Sequence, residues 1–587
     1  MAHLISKVSI SNFKSIEHLE MDLKNYNVMV GYNNAGKSNV LNALSWLIKG
    51  ARFSEDSFHD TNQAVWVEGV ITGVDQTLLD GLFQPHATAL QNYIKNEEIR
   101  IKRIQSGLAE NHKLQVLMTY DDGREEWKVN PTGIDAGISV LFPEPIFIRA
   151  MEDAAEDSSK FKASTTIGKL LTAIFATIQE AHAESIREAF RPFKELFSAT
   201  GANRITELST FDQYVSDIIE SFFPGLRIKA EIPNIEFKEV LKSATITTYE
   251  GDSEPGREIK QLGHGAQRAI QMGLIKYLAD QNRHRNNQRN TTMLLVEEPE
   301  LFLHPQAIDI VRESLRQLSE SGFQVMISTH SPRLVTKGDI RSTMIITKES
   351  GATKMRKTIL SAVQEIETNA AKQLDLMFQL TNSSNILFAD KIILVEGDTE
   401  YWILDKMFEA VKGLPLRHYK TAIVKLHGGG DIKKAMRIME IMDIPCKAIA
   451  DLDFAFKAGV RLGYIDKTNS DYIACKNTMA NLAGFNAHGI VLDNEWPKNS
   501  DSCSAEKAFE LLGAEAVVKH NITNLHELYK QHSIWIWKRG SIETYTGVSS
   551  KNPQNWDRFL ETLENGTASA VITHYDEVVE CFTWLIE

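Results

Sequence analysis

Four carboxylates in the last third of the chain have the spacing to hold divalent cations. Glu396 and Glu400 sit in Glu396-Gly397-Asp398-Thr399-Glu400, and Asp451 and Asp453 in Asp451-Leu452-Asp453. Each cluster follows an apolar run, Ile392-Ile393-Leu394-Val395 in one case and Ala448-Ile449-Ala450 in the other. An acid at the carboxyl end of a buried strand is where open α/β sheets bind ligands. Gly397 permits a tight turn, which puts Glu400 in a first helical turn near Glu396. Strand alternation places Asp451 and Asp453 on one side. Acids this close cannot all stay ionised without cations. Mg²⁺ or Mn²⁺ suits an all-oxygen ligand set. Two such ions about 4 Å apart suit phosphodiester hydrolysis, one activating water and the other stabilising the leaving oxygen. Two later segments are placed to complete the site. Ser504-Ala505-Glu506-Lys507 opens a helix, and Lys538-Arg539-Gly540-Ser541-Ile542-Glu543 follows the strand Ile534-Trp535-Ile536-Trp537. A Lys at position 538 would offset the extra negative charge of the transition state.

A second phosphate chemistry lies near the start. Gly31-Tyr32-Asn33-Asn34-Ala35-Gly36-Lys37-Ser38 fits G-x-x-x-x-G-K-S. Val28-Met29-Val30 precedes it, and Val40, Leu41, Ala43, Leu44, Leu47 and Ile48 follow at helical spacing. Strand, glycine loop and helix together make a nucleotide-phosphate site. Gly31 and Gly36 let backbone N–H groups curl inward, the helix N-terminus adds its dipole, Lys37 reaches the β- and γ-phosphates, and Ser38 holds Mg²⁺. Asn33, Asn34 and Asn39 complete the expected ATP-binding loop. Further on, Met293-Leu294-Leu295-Val296 ends in Glu297-Glu298. An ATPase needs one carboxylate there for Mg²⁺ and one to activate water. Glu297 is assigned the first role and Glu298 the second, although Asp is commoner in the first. Val325-Met326-Ile327-Ser328-Thr329 ends in His330, within reach of a γ-phosphate. Gln261-Leu262-Gly263-His264-Gly265-Ala266-Gln267-Arg268 puts paired glycines before a helix, another backbone-and-dipole anion site.

The elements that must carry these residues fall into four stretches. Residues 1–154 read as strands around the phosphate loop. In 155–227, Ile167, Leu170, Leu171, Ile174, Phe175 and Ile178, then Phe211, Tyr214, Ile218 and Phe222, recur at helical spacing, which predicts a helical insertion. We expect self-association through part of it. Residues 228–380 resume with strand-like sequence at Ile228 to Thr248 and carry the glycine pair, the acid pair and His330. The basic loop from Asn282 to Asn290 reads as a solvated surface. After the polar break Thr381-Asn382-Ser383-Ser384, residues 385–587 carry the second site. At 587 residues, 43% hydrophobic and 24% charged, the chain is an ordinary soluble protein too long for one core. Its net charge of −13 argues against bulk attraction to nucleic acid. It excludes neither a local basic groove nor DNA held through metal ions on carboxylates. The four cysteines form no C-x-x-C pair and read as free thiols of a reducing cytoplasm. No apolar run approaches the ~20 residues that cross a bilayer, and the start lacks a signal-peptide apolar region.

Asn12-Phe13, the phosphate loop, Gly263 to Gln267, Glu297-Glu298, the His304 loop and His330, in that order, resemble the ABC-type ATPase heads of the SMC, RecF and RecN kind. The resemblance implies a nucleotide-gated homodimer or higher homo-oligomer. In it Gly263, Gly265 and Gln267 would face the partner's ATP, and His330 would be the switch histidine. Glu396-Gly397 with Asp451-Leu452-Asp453 looks like a Toprim domain. The whole order resembles the OLD (overcoming lysogenization defect) family of ATP-dependent endonucleases. This implies an α/β chain: an ABC-type ATPase head with a helical dimerisation insertion, followed by a Rossmann-like Toprim domain. It implies Glu396, Glu400, Asp451 and Asp453 as metal ligands and Lys538 as transition-state base or clamp. Glu506 is a further acid, with Asp501 a close competitor. The implied cofactors are ATP with one Mg²⁺, and two Mg²⁺ or Mn²⁺ ions in the Toprim site. The implied substrate is DNA. The implied setting is phage exclusion or anti-phage defence, alone or beside a helicase or a retron reverse transcriptase with its nucleic acid. A second reading is an SMC/RecF/RecN-like DNA-binding ATPase without nuclease activity. Whether ATP licenses cutting or restrains it stays open.

Overall fold

The structure is a computed structural model describing residues 3–142, 145–150, 171, 182–230, 246–249, 256–283, 291–336, 338–366, 383–484, 488–548 and 551–587. One six-stranded sheet runs Ile16–Asp22, Leu4–Phe13, Val65–Thr72, Glu98–Gln105, Lys113–Thr119, Glu125–Val129, with antiparallel neighbours throughout. The strand Val65–Thr72 alternates strictly between buried and half-buried residues, as a sheet with one covered face requires. Gly69 leaves room for the phosphate-loop helix: a Cβ there would lie 2.6 Å from the Leu47 side chain.

A second six-stranded sheet runs Ala352–Arg356, Met344–Glu349, Tyr26–Val30, Phe323–Thr329, Thr292–Glu297, Ile146–Ile148. Its last three strands are parallel. Phe323–Thr329 is buried at every position, the mark of a central strand covered on both faces. The phosphate loop, Glu297 and His330 all stand at the carboxyl ends of strands in this sheet. Pairing of Glu297 with Ser328 fixes that register.

Packing divides the chain into two compact units. One comprises Met1–Met29, Gly36–Leu334 and Lys348–Lys354, and the other Val30–Ala35, Val335–Thr347 and Met355–Glu587. The second unit contains a four-stranded parallel sheet, ordered Thr421–Lys425, Lys391–Val395, Cys446–Ala450, Ile534–Ile536. Helices Asp398–Lys412 and Ile432–Ile441 follow its first two strands as crossovers. Phe408, Trp535, Trp537, Tyr545 and Phe582 fill one core of this unit.

In the predicted insertion, Thr206–Phe222 is a helix as the periodicity requires, and Ala183–Phe197 is a further helix that the periodicity did not announce. Thr206–Phe222 exposes Phe211 (49%), Tyr214 (68%), Ile218 (45%) and Phe222 (73%) along its length. The predicted run Ile167 to Ile178 lies outside the described residues except Leu171, which is helical and buried. Most of the predicted strand Ile228 to Thr248, and the basic loop beyond Arg283, also lie outside them. Among the described residues no helix is long and apolar enough to cross a membrane. Cys446, Cys475, Cys503 and Cys581 are free thiols.

Candidate nucleotide and metal sites

The helix Lys37–Lys49 starts at Gly36, whose φ of 106° needs glycine; a Cβ there would also lie 2.0 Å from Thr353 Oγ1. Gly31 is equally constrained, with φ 153° and only 2.2 Å between a notional Cβ and the Ile346 carbonyl oxygen. Asn33 and Asn34 are exposed in the loop, and so is Ser38 at the helix start. Lys37 Nζ lies 2.9 Å from His330 Nε2, and that nitrogen lies 3.3 Å from Glu298 Oε1. Nε2 of His330 thus stands between an ammonium and a carboxylate. Burial first, then the Lys37 charge, lower the His330 pKa, against the opposing pull of Glu298 and Glu300. Burial also brings Lys37 down to about 8, against the opposing pull of Glu298, Glu300 and Glu297.

Glu297 is buried, accepts the Ala150 N–H at 3.3 Å, and keeps its Oε1 without a hydrogen-bond partner among the described residues. A buried bare carboxylate oxygen at a strand end suits a Mg²⁺ ligand. Glu298 sits at φ 42°, a left-handed conformation that costs a non-glycine residue about 1 kcal/mol or more. Arg268 holds it there. Its Nη2 donates to the carbonyls of Glu297 (2.6 Å) and Glu298 (2.9 Å), and its Nη1 to Arg149 (3.1 Å). The sequence reading did not single out Arg268. Its signal was an arginine three residues beyond the glycine pair.

Two expected ATP contacts are otherwise engaged. Asn39 Nδ2 donates to Ser15 Oγ at 2.7 Å, and Ser15 meets Thr353 Oγ1 at 2.7 Å, so Asn39 braces the helix start. Gln267 is buried, and its Nε2 donates to its own loop carbonyl, Leu262, at 2.7 Å. Gly263 has open space where a Cβ would stand, and Gly265 lies near the Phe302 carbonyl.

In the second unit the carboxylates gather at the carboxyl edge of the parallel sheet. Glu396 ends Lys391–Val395 and accepts the Gly429 N–H at 3.0 Å. Glu400 is buried in the first turn of Asp398–Lys412. Gly397 is extended (φ −116°) rather than left-handed, so its role is space, not turn geometry. A Cβ there would lie 2.7 Å from Glu400 Oε2. Asp451 begins the helix Leu452–Phe456, and Asp453 is in that helix. The expectation of strand alternation between them is therefore wrong: the strand ends at Ala450. Asp453 still acts on Glu396, because its charge helps raise the Glu396 pKa.

Three further side chains join. Glu506, in the first turn of Ala505–Ala514, accepts Ser541 Oγ at 3.2 Å, whereas Asp501 is exposed. Buried Glu543 accepts Thr399 Oγ1 at 2.6 Å. Lys551 Nζ lies 3.4 Å from Glu506 and 3.5 Å from Glu543. Glu543 appeared in the sequence only as the end of the Lys538 segment, and Lys551 gave no signal. Lys538 is placed elsewhere: its Nζ lies 3.5 Å from Glu580, which Lys530 also contacts at 3.2 Å. The amine of Lys538, the expected clamp, thus stands by Glu580, whereas Lys551 lies by Glu506 and Glu543, and Lys457 by Asp453 at 3.4 Å.

Burial first, then Asp453, pushes Glu396 up to about 7. Burial first, then Glu543, pushes Glu400 up to about 8. Asp451 rises for the same reason, with Glu400, Glu396 and Glu543 adding to burial. Burial would lower Lys551, but Asp451, Glu543, Glu506 and Glu400 outweigh it and raise its pKa. Glu396 Oε2, Asp451 Oδ1 and Glu543 Oε2 are buried without hydrogen-bond partners among the described residues. Bare hard oxygens and an excess of acid over two ammoniums, Lys551 and Lys457 (3.4 Å from Asp453), fit divalent cations. The oxygens ring the edge rather than meet at a point. Among the described residues, the three potential ligand atoms within 4.8 Å of one another belong to His526, Glu527 and Glu580. There Lys530 and Lys538 already offset the acids.

A glycine-loop ATPase sheet followed by an acid-edged parallel sheet defines an ATPase joined to a Toprim domain. Residues 4–122 and 144–335 match the AAA ATPase domain family, and residues 387–453 the Toprim domain of overcoming lysogenization defect-like proteins. The chain is 36% identical to the Old nuclease of Escherichia phage P2 over 589 residues, covering 99% of each. It therefore belongs to the OLD family of ATPase-nucleases. It is also 22% identical to Endonuclease GajA of Bacillus cereus, covering 69% of this chain and 68% of that one. To the OLD nuclease of Thermus scotoductus it is 21% identical, covering 77% and 82%.

Proposed function

We propose that this chain is an ATP-hydrolysing, divalent-metal-dependent DNA endonuclease, controlled by a nucleotide-gated ATPase dimer and acting in phage exclusion or anti-phage defence. The observation that carries the nuclease reading is the acid ring of Glu396, Glu400, Asp451, Asp453, Glu506 and Glu543 with three bare buried oxygens. These residues would hold two Mg²⁺ or Mn²⁺ ions, which when bound supply Lewis acidity and an activated water. The chain's own contribution is to aim the acids. Gly429 fixes Glu396 and Thr399 fixes Glu543 by hydrogen bonds. Lys551 brings an ammonium to the same edge, where it would meet the charge that builds on a phosphate being cleaved. At the other site, Lys37, Ser38 and the loop backbone would take the nucleotide phosphates, Glu297 its Mg²⁺, and Glu298 the attacking water.

The domain boundaries we propose are 1–154 and 228–380 for the ATPase head, 155–227 for the insertion and 385–587 for the Toprim domain. The exposed stripe Phe211, Tyr214, Ile218 and Phe222 favours the insertion as the self-association surface. The names of the phage P2 and Bacillus cereus relatives favour a nuclease; DNA as substrate, and a helicase or retron partner, rest on family resemblance alone. The test is cleavage of linear, supercoiled, nicked and single-stranded DNA with Mg²⁺ or Mn²⁺ at several ATP levels. ATP hydrolysis with no cutting of any form would leave a DNA-binding ATPase instead.

A further inference from the structure

We propose that the groove between helix Ile432–Ile441 and residues 458–464 is a track for the phosphodiester backbone of the nucleic acid being cut; this rests on the nuclease reading above. The groove encloses a cavity of about 950 Å³ lined by Lys433, Lys434, Arg437 and Arg461, with Glu440 and Asp443 as the acids. Arg437 is paired with Glu440 at 2.5 Å. Lys433 Nζ donates to the Leu462 carbonyl at 2.6 Å and lies 5.3 Å over the Tyr464 ring, so it is held in place without being neutralised. Lys434 and Arg461 have no side-chain hydrogen-bond or ion-pair partner among the described residues. In a chain of net charge −13, uncompensated cations grouped in one concave wall form a local anion site rather than a diffuse field.

Its position selects the anion. At one end, Arg461 Nη2 lies 2.7 Å from where a Cβ on Gly430 would stand. The preceding residue, Gly429, donates to Glu396. The groove therefore begins beside the metal acids. At the other end it is lined by Cys446 and Ser533, at the amino ends of strands Cys446–Ala450 and Ile534–Ile536. It thus runs the length of a five-residue strand, about 16 Å. At 3.4 Å per nucleotide of one strand that spans about five nucleotides. A polyanion engaged at the acid edge is carried along this wall, whereas an isolated anion would need neither the length nor the contact with Gly430.

The test is binding of a labelled DNA oligonucleotide in EDTA, where the bare acids repel DNA and the groove's share stands out, with salt varied. Lys434→Glu with Arg461→Glu should weaken binding at least about tenfold. Two lost phosphate contacts should shrink the slope of log affinity against log salt by about 1.8 for duplex or about 1.4 for single strands. Lys434→Gln with Arg461→Gln should shrink the slope similarly, which covers any failure of the reversed pair to fold. Lys434→Arg with Arg461→Lys should restore both readouts, and ATP hydrolysis should not change. An unchanged slope in both pairs, with wild type still cutting DNA, overturns the track and leaves the nuclease. Wild type that neither binds nor cuts any DNA overturns the nuclease reading and the track with it. Tight binding of an acidic peptide but not DNA at the same residues also overturns the track.

Discussion

At the sheet edge formed by Glu297 and Thr329, cations and donors stand beside the acids, with Glu297 Oε1 and Glu300 Oε2 left bare. Glu300 accepts Thr329 Oγ1 at 2.7 Å and the His330 N–H at 2.8 Å. Glu298 lies by His330, and Arg268 and Lys37 bring two cations to three acids. At the edge formed by Glu396 and Asp451, two ammoniums, Lys551 and Lys457, face six carboxylates, and the pKa values of Glu396, Glu400 and Asp451 climb. The first edge is electrically near balance and is built around a lysine, so it suits an anion carrying one metal. The second is strongly unbalanced toward acid and suits cations that bring an anion with them. The same residue type at the carboxyl ends of parallel strands in two sheets thus serves two chemistries, and charge balance separates them.

The largest expected effect breaks one edge at a time. Asp451→Asn should lower DNA cleavage on the order of a thousandfold while ATP binding and hydrolysis persist. Lys37→Ala should lower ATP hydrolysis by a similar order and leave the metal-binding edge intact. Cleavage by Lys37→Ala across ATP levels then reports whether nucleotide licenses or restrains the nuclease. Cutting unchanged in Asp451→Asn would remove the distinction between the edges.

Next comes the choice of ammonium. Lys551→Ala should reduce the cleavage rate about a hundredfold, whereas Lys538→Ala, whose amine is engaged with Glu580, should cost less than tenfold. The opposite ranking under saturating DNA would return the clamp to Lys538.

What the sequence disclosed about these edges follows the range of the forces involved. The phosphate loop is legible because its chemistry is local: Gly31, Gly36 and Lys37 are fixed by backbone shape within eight residues. Glu396 and Asp451 are legible because a strand end is visible as an apolar run meeting an acid. Asp453 was placed by the wrong period, because nothing in the apolar run tells where a strand yields to a helix at Asp451. Lys551 and Glu543 arrive through tertiary packing from a loop and a four-residue helix, where no periodicity exists to read. Asn39 and Gln267 also donate to Ser15 and Leu262, contacts no local pattern encodes.

A smaller effect separates the edges by pH. Glu396 and Glu400 hold protons up to about 7 and about 8 when folded, above their ordinary 4.5. The stability they contribute is therefore full below the unfolded pKa and is lost as pH rises through those folded values. In EDTA the melting temperature should fall from about pH 5 to about pH 8, and millimolar Mg²⁺ should offset more of the loss at the upper end. Lys37 works in the other direction: depressed to about 8 from 10.5, it penalises the fold at lower pH and relieves it only above about 8. Glu400→Gln should flatten the acid-side slope and Lys37→Met the alkaline one. An EDTA curve flat between pH 5 and 8, with no added benefit from Mg²⁺ at higher pH, would mean the second edge is not short of cations.

The finest distinction lies in how each edge aims a carboxylate with a threonine. Thr329 Oγ1 donates to Glu300 at 2.7 Å, and Thr399 Oγ1 donates to Glu543 at 2.6 Å; both hydroxyls are buried. Threonine to valine keeps the shape and removes the donor, leaving a buried oxygen one bond short at a cost of about 1–3 kcal/mol. Glu300 keeps the His330 N–H as a second donor, so Thr329→Val should slow ATP hydrolysis only about threefold. Both acids leave their other oxygen bare, but on its bonded oxygen Glu543 would keep only the Lys551 contact at 3.5 Å, so Thr399→Val should free the carboxylate and slow cleavage by about tenfold or more. Added Mg²⁺ should recover part of that loss, because a cation can replace the missing donor at Glu543. It should recover nothing in the ATPase of Thr329→Val. Equal losses in the two variants, both insensitive to Mg²⁺, would mean that the two edges hold their acids in the same way after all.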